Sequence, residues 1–125
     1  MTAERARRTD GAVGLPADAR NRKLLGLVGL GIRARRAVVG VEQVRDAARR
    51  GQLVLAVVAP DASRHSLDKV LPLLEARRIR YVEAPSAAAL GAAVGREATA
   101  AVGIIDPDLA RGIRALAEPG PARGK

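Results

Sequence analysis

Apolar positions along the chain change their period repeatedly, and each change predicts an element. From about Asn21 to Arg35 they recur at helical spacing, and a short strand follows at Ala37 to Val39. A helix is expected from Val41 to Arg50. The unbroken apolar run Leu53 to Ala59 reads as a strand buried on both faces. Next come a helix from Ser63 to Arg77, a strand at Ile79 to Glu83, and an alanine-rich helix from Ala87 to Val94 with Ser86 as its N-cap. A strand at Ala100 to Ile105 precedes a last helix, in which Asp106 caps and Pro107 takes the first position.

Strands that alternate with helices predict an α/β sandwich of four strands covered on both faces. Pro72 falls inside the third helix. There it removes a hydrogen bond and crowds the preceding turn, so either a kink or break is expected, or a fresh helix start at the proline. Residues 1–20 lack either period and read as a mobile basic tail, as does the proline- and glycine-rich 118–125. The folded domain is placed at 21–117.

At 125 residues the chain fits one domain. The absence of cysteine excludes disulfide frameworks, thiol nucleophiles and thiolate zinc sites. With no apolar run of spanning length and no signal-peptide pattern, a soluble cytoplasmic protein without membrane contact is expected. A net charge of +9 and a pI near 11.4 point to a polyanionic partner, nucleic acid first. Tyr81 is the sole aromatic residue, so modules that stack bases on aromatic platforms are excluded.

Positive charge concentrates early: residues 1–51 hold 12 basic and 5 acidic side chains. Arg33, Arg35 and Arg36 end the first helix and Arg45, Arg49 and Arg50 lie on the second, so two clusters flank the short strand and Gly40. Glu42 and Asp46 partly neutralise the second cluster at i,i+3 and i,i+4 spacing.

Two arrangements suggest enzymes. Gly29-Leu30-Gly31-Ile32-Arg33-Ala34 matches a dinucleotide-binding fingerprint, but the helix it should open would have to absorb Val38, Val39, Gly40 and Val41. Asp61, Ser63 and His65 suggest a catalytic trio, yet all lie within one turn, where a capped helix start explains them better. A lone histidine without thiolates gives no metal site. No enzyme activity and no cofactor are expected.

The segments Leu27 to Arg36, Val38 to Val44, Arg50-Gly51 and Leu53 to Ser63, followed by Leu71 to Leu74, Tyr81 to Glu83, Leu90-Gly91 and Val94 to Ala98, together carry a resemblance. In order and spacing the chain resembles the ribosomal protein family called L-seven-Ae, L-thirty-e, S-twelve-e and Gadd45, most closely its bacterial YlxQ-type branch, over about residues 21–115. The resemblance implies an α/β fold, a three-layer α/β/α sandwich with a four-stranded mixed sheet, and an RNA-binding protein of the translation machinery that takes kink-turn RNA, a duplex bent sharply at a bulge beside sheared G·A pairs. It implies a monomer, with ribosomal RNA and ribosomal proteins as partners.

By position, the family's groove-entering residues fall on Gly40, Val41, Glu42 and Gln43, with Asp46 and Arg50 further along. Its bulge-cradling loop falls on Gly95, Arg96, Glu97, Ala98 and Thr99, and Arg33, Arg35 and Arg36 are expected to contact phosphate. Strong kink-turn binders of the family carry Asn-Glu where this chain has Glu42-Gln43, and lysine where it has Asp46. Two other readings are a protein-interaction domain on the same scaffold and a nucleotide-binding enzyme.

Overall fold

The computed structural model describes residues 16–117; of the tails expected at 1–20 and 118–125, residues 1–15 and 118–125 lie outside the described residues, while 17–20 are not tail but the start of the first helix. Among the described residues five helices and four strands alternate: α1 (Ala17–Arg33), β1 (Ala37–Val39), α2 (Val41–Arg49), β2 (Leu55–Val58), α3 (Arg64–Ala76), β3 (Arg80–Glu83), α4 (Ala87–Ala93), β4 (Ala101–Ile104) and α5 (Pro107–Ala117). The strands lie in the order β1-β4-β2-β3. β4 pairs antiparallel with β1 and with β2, and β2 pairs parallel with β3. The sheet is therefore mixed, as expected.

Helices cover both faces. On one, Leu24 and Val28 of α1, Leu90 of α4 and Ile113 of α5 pack on Leu55, Val57, Val82, Val102 and Ile104. On the other, Val44 and Ala48 of α2 and Val70 and Leu74 of α3 pack on Ala56, Val58 and Ala101. β2 and β4 are buried at every position because each is flanked by strands and sandwiched by helices.

The first helix begins at Ala17, four residues before the expected start, with Pro16 as N-cap and Asp18 in its first turn. The α3 helix runs unbroken through Pro72, so neither the break nor the restart occurs. Pro72 and Asp68 are both exposed, so water can take the Asp68 carbonyl that the proline leaves without an N–H. Ser63, Ser86 and Asp106 cap as expected: their side chains accept from the N–H groups of Ser66 at 3.1 Å, Ala89 at 3.0 Å and Leu109 at 2.8 Å.

Gly29 and Gly31 lie inside α1, not in a phosphate-binding turn. A Cβ at Gly29 would come within 2.7 Å of the Ala93 carbonyl oxygen, and one at Gly31 within 2.5 Å of Leu109 Cδ2. The glycines let α4 and α5 approach closely, which accounts for the fingerprint-like spacing.

Four helices end in the same way. The N–H groups of Arg35 and Arg36, Gly51 and Gln52, Arg78 and Ile79, and Gly95 and Arg96 return to carbonyls three and five residues earlier. Each such ending needs one left-handed residue. Two are glycines, Gly51 and Gly95, but Arg35 (φ 62°) and Arg78 (φ 57°) are not.

Candidate nucleic-acid interface

The strand register divides the molecule into two ends. Ala37, Ile104, Leu55 and Arg80 form one row of the sheet, while Val39, Ala101, Val58 and Glu83 lie toward the other. Gly40 follows β1 at the second end, with φ 101°, and its N–H reaches the Ala101 carbonyl at 2.9 Å. That anchor fixes where α2 starts. The N–H groups of Val41, Glu42 and Gln43 open the helix, and no side chain of the described residues caps them. Such an end presents unpaired donors and a partial positive charge.

The loop between α4 and β4 arrives at the same end. Gly95 supplies its left-handed turn at φ 80°. The Arg96 guanidinium lies over Gly40, its Nη1 3.9 Å from where a Cβ on that glycine would sit. Ala98 rests on Gly91, where a Cβ would come within 2.4 Å of Ala98 Cα. Thr99, 8% exposed, is held by its N–H on the Ala87 carbonyl at 3.1 Å and its hydroxyl on Ala101 at 3.4 Å. Glu97 is exposed. The structure thus brings Gly40, Val41, Glu42 and Gln43 together with Gly95 to Thr99.

Beside that loop lies an open hollow of about 210 Å³, lined by Ala62, Ser63, Ser66, Ala87, Ala98, Thr99 and Ala100. This is below the size of a typical small-molecule site. Sequence reasoning missed its wall on α3, where Ser63 and Ser66 carried only a capping signal. The catalytic-trio reading fails here: Ser63 caps α3, and Asp61 Oδ1 accepts the Ala87 N–H at 2.7 Å.

Other expected contacts are placed differently. Glu42 is engaged by Lys69 at 3.3 Å and by Arg45 at 3.8 Å, and Arg45 also donates to the Lys69 carbonyl at 2.8 Å. Lys69, unremarked in the sequence, thus balances the charge of Glu42. Asp46 pairs with Arg50 at 3.2 Å. Arg33 folds back along α1, its Nη1 3.5 Å from where a Cβ on Gly29 would sit. Arg35 and Arg36 precede β1 and Arg50 follows α2, all at the end of the sheet away from Gly40. Among the described residues no group of three His, Cys, Asp or Glu could hold a metal, and no helix is long and apolar enough to cross a membrane.

The four-stranded mixed sheet between two helical layers, with a helix start and a loop meeting at one end, defines an α/β/α sandwich domain. The model of the ribosomal protein L7Ae/L30e/S12e/Gadd45 family matches residues 22–112, and the chain belongs to that family. It is 31% identical over 90 residues to the RNA-binding protein YlxQ of Bacillus subtilis (strain 168), covering 72% of this chain and 90% of that protein. A solved structure of a protein of unknown function from Bacillus halodurans C is 32% identical, with a TM-score of 0.71 over 77% of this chain and 97% of the other. The Giardia lamblia 15.5kD RNA binding protein shares the fold, with a TM-score of 0.67 at 24% identity, covering 81% of this chain and 89% of its own.

Proposed function

We propose that this chain is an RNA-binding protein, not an enzyme, and that it takes kink-turn-like RNA at the Gly40 end of the sheet. The observation that carries this is the meeting of the uncapped α2 start with Arg96 over Gly40. Backbone donors and a guanidinium with no ion pair among the described residues converge where glycine lets a polynucleotide approach. The open hollow beside Thr99 would receive the base of the extruded nucleotide and leave its sugar and phosphate outside, with Ser63 and Ser66 as polar partners. The net charge of +9 supports a polyanionic partner, and the relative named as an RNA-binding protein supports RNA among them. Membership of the family supports a further reading of the chain as ribosomal or ribosome-associated in translation, a cytoplasmic monomer whose partners are ribosomal RNA and neighbouring ribosomal proteins.

The test is titration of the full chain against a kink-turn RNA and its straightened counterpart over a salt series. The kink-turn should bind more tightly, and log K should fall by roughly 0.9 per phosphate contact per log unit of salt. Arg96→Ala should narrow the preference. Equal affinity for the two RNAs would overturn the kink-turn assignment, and salt-independent binding would overturn the phosphate contacts.

A further inference from the structure

We propose that the end of the sheet opposite Gly40 is a second RNA surface, one that grips the backbone of an uninterrupted duplex. This rests on the reading of the chain as an RNA-binding protein but not on its taking a kink-turn. The C-termini of α1, α2 and α3 converge there, beside the row formed by Ala37, Ile104, Leu55 and Arg80. They bring Arg35 and Arg36, Arg49 and Arg50, and Arg77 and Arg78 to one end, although these pairs are far apart in sequence. Arg77 Nη1 lies 3.4 Å from the Arg49 carbonyl, which ties the α2 and α3 endings together. The row from β1 to β3 is three strand spacings wide, ~14 Å, and this end lies ~13 Å along α2 from Gly40.

Carboxylates account for two of these cations only, Arg36 with Asp106 and Arg50 with Asp46. Arg35, Arg49, Arg77 and Arg78 are exposed and form no ion pair among the described residues. Attraction to helix C-termini explains Arg77, whose guanidinium meets a carbonyl, but Arg35 and Arg78 make no such bond. Those two are also the only non-glycine residues described with positive φ. The other two endings of this kind use glycine, the residue that suits the geometry, whereas arginine sits there under strain. Strained backbone gathers where a side chain is needed for function.

The chemistry favours a nucleic-acid backbone. The cations gathered at this end are arginines, whose planar fork matches phosphate. The exposed apolar side chains beside them, Val54 just ahead of β2 and Tyr81 on β3, are each less than half exposed and stand on separate segments, too little for the buried anchor cluster that holds protein partners. The A-form duplex is read through shape and phosphates, which guanidinium groups carried on neighbouring helix ends can do without base contacts.

The test compares the full chain with the Arg49→Ala/Arg78→Gly variant on two probes, a plain 16-base-pair RNA duplex and a kink-turn with stems cut to minimal length. Thermal melting accompanies both. The variant should bind the plain duplex about five-fold more weakly, with a salt slope shallower by about 2, since two phosphate contacts are lost. It should bind the short-stemmed kink-turn as the parent does and melt no lower. Unchanged duplex affinity, equal loss on both RNAs, or failure of the parent to bind the duplex would each overturn the second surface, as would tighter binding of polyglutamate than of duplex. Failure of the kink-turn reading shows separately, as a parent that does not prefer the kink-turn to its straightened form.

Discussion

Arg36 and Asp106, 70 positions apart, meet at 2.8 Å, and the same carboxylate accepts the Leu109 N–H at 2.8 Å through its other oxygen. One side chain therefore caps α5 and ties that helix to the residue before β1. The backbone repeats the link, with the Ile105 N–H on the Arg36 carbonyl at 3.0 Å. Asp106→Ala should lower stability by about 1 kcal/mol through loss of the cap. Arg36→Ala should cost less, roughly 0.5 kcal/mol, because its guanidinium is more than half exposed. Urea unfolding of both variants checks the order; a larger loss at Arg36 would mean that the ion pair outweighs the cap.

Arg35→Gly should raise stability by about 1 kcal/mol, since glycine adopts the left-handed conformation at little steric cost. The melting temperature reads this directly. A fall would show that the arginine side chain contributes to the fold more than its backbone strain removes.

Gly91→Ala should destabilise by roughly 1–3 kcal/mol, because the added methyl meets the backbone of Ala98 and not a side chain that can rotate away. The loop carrying Arg96 would have to shift. Kink-turn affinity should therefore drop in conditions where the variant is still fully folded by circular dichroism. Unchanged affinity in a folded variant would separate the loop from the RNA site.

Asp46→Lys tests the departure from the family's strong binders. Asp46 pairs with Arg50 on an exposed stretch of helix, a contact worth roughly 0.3–0.5 kcal/mol. Replacing it with lysine should tighten kink-turn binding by about 1 kcal/mol, as a charge-assisted contact forms, and change the straightened duplex less. Weaker kink-turn binding, by about 1–3 kcal/mol, would mean that Asp46 accepts from a base edge.

Element order was legible in the sequence because each element carries a local signal: a period, a capping serine, or the run at Leu53 to Ala59. Boundaries moved where tertiary context intervened. The apolar run overstates β2, which pairs only from Leu55 to Val58, and Pro72 sits in an intact helix because its face meets water. The Gly40 helix start could be placed from local chemistry, whereas the Gly95 to Thr99 loop came from family resemblance alone. The grouping of arginines was the least legible part. Arg33 and Arg35 are neighbours in sequence, yet Arg33 lies back along α1 while Arg35 shares an end with Arg77 and Arg78, which sit in the half of the chain where charge nearly balances. Adjacency along a chain says little about which helix ends a sheet will gather.

The central position of β4 imposes an order in time. β1 and β2 both pair with it, and Gly40 is anchored through Ala101, so the sheet has a gap until the last strand arrives. Contacts between residues so distant in sequence form late, after the entropy of closing a long loop has been met. On a ribosome, the chain through α3 would exist without either its closed sheet or the loop that faces Gly40. The RNA site proposed at that end is therefore assembled only once the final strand is in place, so a binding-competent molecule is one whose synthesis has passed Ile104.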